Sequence, residues 1–397
     1  MTAPPRVIIV ADDLTGAMDV AGPLAARGLN TLAVASLDGC TPQHLAGAEV
    51  VSINADSRHL SGQAAADRVR TILRGLVHPD AEILIKKIDS TLRGNVIAET
   101  LAMLETSRRR GAVVAPAFPA QGRTVVDGIV HVNGIPLKDT NFARDALSPP
   151  PLDPLHVLFA QADPRAQVSR VAAGAAVHIV PTAGRQIFAL DTSSDADLRV
   201  SVRALSAQLK DVLLVGSAGI AEAVAEVCFP RSDGVASMPT VAGRLLFVVG
   251  SRAQQSAQQV AALMETGDVQ TVAAPNGRVD VEAATRATAQ IVVLKATADA
   301  GGREGDATEV AQGLADGVAQ LLERSPFAAM VATGGDTAIA ILQRLSQPAL
   351  RVMGNLLPGI PFSRIKAGSG DLWFVTKAGG FGSRDTFVSI AQRLRGC

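Results

Sequence analysis

The densest run of side chains able to do chemistry lies in ILIKKIDSTLRG, Ile83 to Gly94. Aliphatic residues there give way to Lys86, Lys87, Asp89, Ser90, Thr91 and Arg93. Three cations, a carboxylate and two hydroxyls at the end of an apolar run are costly to hold unless a ligand or partner uses them. Open α/β sheets bind ligands beyond the carboxyl ends of their strands, so an anionic small molecule is the expected occupant. The plainer alternative is a salt-bridged strand end with Ser90 capping the next helix. Strand alternation turns Lys86 to the opposite face from Lys87. That leaves Lys87, Asp89 and Ser90 as expected ligand contacts, with Arg93 open between carboxylate and phosphate.

Two further polar clusters follow apolar runs. Asp12 and Asp13 close RVIIVADD, with Thr15 and Gly16 just after. The acidic pair is either a helix cap with a solvated charge or a general base and metal ligand. Asn54, Asp56, Ser57 and Arg58 close the run ending at Ile53. Arg58 is either a surface residue heading a helix or a guanidinium fitted to a carboxylate. His131, between valines in IVHVNG, reads as an ordinary sheet residue more readily than as a base.

The second half of the chain supplies glycine turns instead of charges. Gly250 and Ser251 follow LLFVV, Gly334 and Gly335 precede Asp336 and Thr337, and Gly379, Gly380 and Gly382 follow LWFVTK. Each alone is a tight turn. Three at strand ends of one domain suggest bare backbone amides cradling a phosphate at a helix N-terminus. Neither GxxxxGK[ST] nor GxGxxG in its dinucleotide context is present.

The elements that must position these clusters alternate between strand and helix patterns. Strands are expected over Arg6–Ala11, Thr31–Ser36, Glu49–Ile53, Ile83 onward, Ala112–Ala115, Val177–Val180 and Val212–Val215. Helices are expected from Ala17, over Ser61–Leu76, over Asn95–Arg109 and over Asp195–Leu209. The stretch from Pro116 to Thr140 is irregular, and its hairpin around Val130–Leu137 is the expected dimer contact. FPRSDGVASMPT has the composition of a linker. Strands then restart at Leu245–Val249, Val269–Ala273, Ile291–Leu294, Ala328–Ala332 and LWFVTK, the last preceded by LLPGIPFSRI. This reading divides the chain into residues 1–230, a linker 231–242 and residues 243–397. The fold class is two α/β domains, each with a mostly parallel central sheet flanked by helices, and the site is expected in the interdomain cleft.

Composition narrows the partners. Of 397 residues, 48% are hydrophobic and 19% charged, which describes a globular chain. Lys plus Arg and Asp plus Glu each number 37, and aromatics are 3%, so neither a polyanion-attracting field nor base-stacking platforms are on offer. Nucleic acid is therefore not an expected partner. Cys40, Cys228 and Cys397 lack metal-ligand spacing, and an odd count gives no disulfide framework, which points to a reducing cytoplasm. The opening apolar run is too short for a signal peptide or a membrane span.

As a set, ADDLTGA, NADSR, KKIDSTLRGN, APAFPAQGRT and DGIVHVNGIPL, followed by VVGS, TGGDTA, LPGIPFSR and TKAGGFG, resemble the four-carbon acid sugar kinases from the first strand to the last. The resemblance implies ATP-dependent phosphorylation of the terminal hydroxyl of a tetronate, D-threonate or D-erythronate first, with 3-oxo-tetronate and L-threonate as alternatives. It implies an N-terminal acid-sugar domain and a C-terminal nucleotide domain, with ATP and Mg²⁺ as cofactors. Carried over by motif, the acid sugar meets Asp12 or Asp13, Arg58 and the segment Lys87, Ile88, Asp89 and Ser90. ATP meets Ser251, the turn Gly334, Gly335, Asp336 and Thr337, and the turn Gly379 and Gly380. Within that reading Asp12, Asp13 and Lys87 are the catalytic candidates, and Arg58 or Arg93 pairs with the substrate carboxylate. Metal ligands stay unassigned. The chain departs from many members at RAQQSAQQ after the VVGS turn and in reading AGGFG for SGNFG. The rival from another class is a non-catalytic sensor of an acid metabolite and nucleotide, which only turnover separates. A dehydrogenase is disfavoured by the missing GxGxxG.

Overall fold

A computed structural model describes residues 4–77, 80–145, 148–182, 184–231, 240–367 and 370–396. The chain divides into two compact units, Met1–Val235 and Ala236–Cys397. Most of the expected linker, 232–239, lies outside the described residues.

The first unit begins with β1 (Val7–Ala11), α1 (Leu14–Ala25), β2 (Thr31–Val34), β3 (Val50–Asn54), α2 (Gly62–Gly75), β4 (Ile83–Lys87), α3 (Val96–Ser107) and β5 (Gly111–Ala115). A small antiparallel ribbon follows, β6 (Arg123–Val126), β7 (Ile129–Val132) and β8 (Ile135–Pro136). Then come α4 (Leu155–Ala162), β9 (Gln167–Val171), β10 (Gln186–Leu190), α5 (Asp195–Ala204), β11 (Val212–Gly216) and α6 (Ala218–Cys228). Its main sheet is parallel throughout, in the order β2-β3-β1-β4-β11-β5-β10-β9.

Strands β1, β3, β4, β5 and β11 are buried along their whole length, as expected of a parallel sheet covered on both faces. Alternate side chains enter two cores. Ile8, Val10, Leu84 and Ile53 pack with residues of α2 and α3, while Val7, Ile9, Ile83 and Ile85 pack with residues of α1, α5 and α6. Register decides what the site receives. Ala11 lies opposite Asn54 and Lys87, and Gly216 lies opposite Lys87 and Ala115. The segments that follow β1, β3, β4 and β5 therefore leave one edge of the sheet together.

One expected strand is corrected. Val177–Val180 is irregular, and the strands of that region are β9 and β10. Gln186 explains the difference, because its side-chain amide accepts from Val180 N at 3.0 Å and donates to Val180 O at 3.1 Å. These side-chain bonds satisfy Val180 without a ladder partner.

The second unit contains β12 (Leu245–Val249), α7 (Gln254–Met264), β13 (Val269–Pro275), α8 (Val281–Arg286), β14 (Ile291–Thr297), α9 (Ala307–Arg324), β15 (Ala329–Thr333) and α10 (Gly335–Arg344). It ends with β16 (Ala349–Leu357), β17 (Ile360–Ala367), β18 (Gly370–Lys377) and α11 (Thr386–Arg395). The order is β13-β14-β12-β15-β18-β17-β16, parallel from β13 to β18 and antiparallel from β18 to β16. Phe247, Val331, Val375 and Phe387 anchor its core. LLPGIPFSRI forms the hairpin that joins β16 to β17. Its turn falls at Pro358 and Gly359, which supply a fixed φ and a positive φ of 72°. Among the described residues no helix is long and apolar enough to cross a membrane.

Candidate active site

In the first unit, Arg58 is the centre of the polar edge. Its Nε donates to Asp12 Oδ2 at 2.7 Å, its Nη1 donates to Asp13 Oδ2 at 2.9 Å, and its Nη2 lies 3.9 Å from Asp89 Oδ1. Burial disfavours the guanidinium, but Asp12, Asp13 and Asp89 outweigh it and lift its pKa well above the usual arginine range. One guanidinium thereby ties together the exits of β1, β3 and β4. Gly94 makes room for it. Its φ of 85° suits glycine, and a Cβ there would stand 3.3 Å from Asp12 Oδ2 and 3.4 Å from Arg58 Cγ.

The two aspartates differ. Asp13 caps α1, with Oδ1 accepting from Gly16 N at 2.8 Å and Oδ2 accepting from Thr15 Oγ1 at 2.6 Å as well as from Arg58. Burial would raise its pKa, yet Arg58, Lys87 and these bonds hold its carboxyl below the usual range. Asp12 is 3% exposed, and its Oδ1 is buried with no hydrogen-bond partner. Asp12 is therefore the carboxylate with spare acceptor capacity.

Beyond β4, Asp89 is bound bidentately by Arg93, from Nε to Oδ2 and from Nη2 to Oδ1, each at 3.0 Å. Thr91 N donates to Asp89 Oδ2 at 3.1 Å, and the Thr91 hydroxyl donates to the same oxygen. Burial opposes ionisation here too, but Arg93 and then Arg58 hold the Asp89 carboxyl far below its ordinary value. Arg93 also reaches Asp145 Oδ2 at 3.5 Å. Lys87, 5% exposed, donates from Nζ to Ile88 O at 2.9 Å. That Nζ stands 3.0 Å from where a Cβ on Gly16 would be. Ile88 N bonds Gly216 O at 2.9 Å, and Ser90 is half-buried in the turn. Lys86 faces the other way, as alternation requires, and pairs with Glu99 of α3 at 2.7 Å with both side chains buried. Asn95, not Ser90, stands before α3, so the capping alternative for Ser90 does not hold.

The first unit also holds polar residues that the motifs did not single out. Asp19 on α1 has its pKa pushed up to about 6, by burial first, with Lys87 opposing and Asp13 adding to the rise. Arg123 lies at the start of β6 and Asp145 in the loop before α4. The first was legible only as one letter inside APAFPAQGRT, and nothing in the sequence singles out the second.

In the second unit the three glycine turns meet. Val249 lies opposite Thr333, and Thr333 lies opposite Lys377, so β12, β15 and β18 end side by side. A Cβ on Gly250 would stand 2.0 Å from Thr337 Oγ1, and one on Gly379 would stand 2.1 Å from Ser251 Oγ. Gly334 is the N-cap of α10 and its N–H bonds Lys377 O at 2.9 Å. Gly335 begins that helix, Asp336 is exposed on its first turn and Thr337 is buried. Gly380 is exposed, with nothing near its Cβ position. Lys377, missed by the motif reading although it lies within TKAGGFG, fixes the third turn. Its Nζ donates to Ala378 O at 2.6 Å, Gly379 O at 3.0 Å and Phe381 O at 2.9 Å. Ser256 Oγ donates to Gly379 O at 2.8 Å, and Gln259 Nε2 donates to Phe381 O and Ser383 O at 2.9 Å. These α7 side chains come from RAQQSAQQ, and they face the turn's carbonyls.

Residues 7–224 match the family model of a sugar-binding N-terminal domain, and residues 246–387 match that of a nucleotide-binding C-terminal domain. A protein of Bordetella bronchiseptica named D-threonate kinase is 34% identical over 412 residues, covering 98% of each chain. The chain belongs to the four-carbon acid sugar kinase family. Another relative, from Cupriavidus necator and also named D-threonate kinase, is 35% identical over 95% of each chain. A solved chain from Salmonella typhimurium LT2, 21% identical, superposes with a TM-score of 0.74 over 98% of both chains and shares the fold. The sugar-binding half of the kinase family matches the unit with the Arg58 cluster, and the nucleotide-binding half matches the unit with the glycine turns. Among the described residues no group of three or more His, Cys, Asp or Glu could hold a metal ion.

Proposed function

We propose that this chain transfers the γ-phosphoryl group of ATP to the terminal hydroxyl of a four-carbon sugar acid, with D-threonate the foremost substrate. The observation that carries the reading is the meeting of three turns at neighbouring strand ends of the second unit, packed so closely that a Cβ on Gly250 or Gly379 would collide with Thr337 Oγ1 or Ser251 Oγ. Family membership supplies the substrate class.

In this reading Ser251, Gly334, Gly335, Thr337, Gly379 and Gly380 take the nucleotide phosphates through backbone amides and hydroxyls. Asp336, exposed on the first turn of α10, takes the ribose hydroxyls. Lys87, Ile88, Asp89, Ser90 and Arg93 line the acid-sugar site, and Arg58 fixes the aspartates beside it. The terminal hydroxyl oxygen attacks the γ-phosphorus, the bond to the bridging β-oxygen breaks, and ADP leaves with the electron pair. The hydroxyl proton passes to a carboxylate. Asp12 suits that role through its unpartnered Oδ1, whereas both oxygens of Asp13 already accept, from three donors in all. Lys87 offsets charge on the moving phosphoryl group, the main demand of such chemistry.

Mg²⁺ in kinases binds through one or two carboxylates together with substrate phosphates. Asp336, exposed on the first turn of α10, fits one such contact in place of the ribose, and Mg²⁺ would supply charge neutralisation of the phosphates there. Self-association through the β6–β8 ribbon is part of the same reading, since Val126 and Ile135 are 45% and 50% exposed on it. Sedimentation would measure that. Turnover of tetronates with ATP and Mg²⁺ tests the activity.

A further inference from the structure

The polar edge of the first unit contains four cations, and a count of what each already holds separates them. Arg58 is committed to Asp12 and Asp13, with Asp89 close by. Arg93 is committed bidentately to Asp89 and reaches Asp145. Lys87 lies on the α1 side, bonded to Ile88 O. Arg58 and Arg93 therefore have fewer N–H donors left for a substrate carboxylate, and displacing either one's aspartate would leave a mostly buried charge uncompensated.

Arg123 differs. Its Nη1 donates to Gln121 O, and its guanidinium lies over the Phe142 ring at 5.8 Å from the centroid. It makes no ion pair among the described residues. It is anchored at the backbone, where Arg123 and Phe118 bond each other, N to O at 3.1 Å and O to N at 2.9 Å. This pairing follows directly on β5, whose last residue Ala115 shares the sheet edge with Lys87 through Gly216. Burial lowers the Arg123 pKa first and most, with Asp89 opposing and Arg93 adding to the fall. A guanidinium at cation–π range of a ring and bonded through one nitrogen keeps most of its planar fork for a carboxylate.

We propose that Arg123 receives the carboxylate of the substrate and so makes the site select acids over neutral sugars of the same length. The inference rests on the kinase reading for the identity of the substrate and names the residue that reads its charge. In this arrangement Arg93 and Asp89 form a closed internal pair that shapes the wall beside it. Arg58 and Arg93, expected from the sequence to hold the carboxylate, stand beside it and hold the aspartates of the same wall.

The test compares ligand and protein changes in one cycle. Binding of D-threonate and of its neutral amide, D-threonamide, is measured calorimetrically on the full chain without nucleotide. The wild-type chain is expected to favour the carboxylate by about 10- to 100-fold, the range of a charge-assisted hydrogen-bonded pair. Arg123→Gln should abolish that preference, with amide binding changed less than about threefold. Arg123→Lys should keep part of it. Phe142→Leu removes the ring but not the charge, and must keep the preference, which guards against a variant that merely loosens the fold. Retention of the full carboxylate preference by Arg123→Gln, or its loss in Phe142→Leu to the same extent, overturns the inference. Because the measurement is of binding, it is independent of turnover: a wild-type chain that selects the carboxylate but phosphorylates no tetronate would refute the kinase reading and leave Arg123 assigned.

Discussion

Arg58 Nε and Asp12 Oδ2, 46 residues apart in sequence, meet at 2.7 Å with the two side chains 14% and 4% exposed. The pair is formed by register, because Ala11 and Asn54 are opposed and the chain turns at once from each of them into the cluster. Removing the guanidinium would leave two buried carboxylates without their main counter-charge. Arg58→Met should therefore lower unfolding stability by about 3–5 kcal/mol. Urea unfolding reads this, and a loss below about 1 kcal/mol, the range of exposed pairs, would show that the pair is solvated.

The division between the two aspartates predicts different failures. Asp12→Asn should cut kcat by about 10²-fold or more while D-threonate binding persists, as expected for a proton acceptor. Asp13→Ala should mainly cost stability, about 1 kcal/mol from the lost α1 cap. Steady-state kinetics beside thermal unfolding separates them. The opposite pattern would exchange their roles.

Filling the glycine cradle should affect the nucleotide alone. At Gly379 a Cβ would collide with Ser251 Oγ at 2.1 Å, so Gly379→Ala must displace the Ser251 side chain or the turn. The KM for ATP should rise about tenfold or more, equivalent to at least about 1.4 kcal/mol of lost binding, with calorimetric D-threonate affinity unchanged. A normal KM for ATP would remove this turn from the nucleotide site.

Two sets of carboxyls give stability opposite slopes with pH. Asp13 and Asp89 have folded pKa values below the unfolded value of about 3.9, so their contribution is complete above that value and is lost as pH falls below it. Asp19 and Glu222 have folded values pushed up to about 6 and about 7, by burial first. The folded chain then holds more protons than the unfolded chain from about pH 4 upward, so stability declines as pH rises through about 7. Urea midpoints should pass through a maximum near pH 4 to 5, where the two slopes cross. The double variant Asp19→Asn, Glu222→Gln should flatten the upper limb only. A lower limb that flattens with it would assign the slopes wrongly.

Much of the site is written in residue type and position. Lys86 and Lys87 were separable by strand alternation, and the pairing of Lys86 with Glu99 on the opposite face agrees with that separation. The glycine turns were legible because each follows a buried strand. Partners were not legible. That Arg58 spends its donors on Asp12 and Asp13, and Arg93 on Asp89, depends on register between distant segments, which no local pattern carries. The hairpin of β16 and β17 escaped for a local reason. Burial alternates along the whole of β16, with Leu350, Val352, Gly354 and Leu356 inward, but Met353 and Leu357 put apolar residues on the other face and Gly354 adds none to the inner one, so residue type hides the period. Arg123 escaped because an arginine in an irregular stretch looks like any surface residue until its missing counter-charge is seen.

The most direct measurement is ADP release by the purified chain with ATP, Mg²⁺ and a panel of D-threonate, D-erythronate, L-threonate and 3-oxo-tetronate, with the phosphorylated position of any product read by NMR. The expected result is turnover of at least one tetronate, D-threonate first, with phosphate on the terminal hydroxyl. Absence of turnover on every four-carbon acid, or phosphate at another position, would contradict the account.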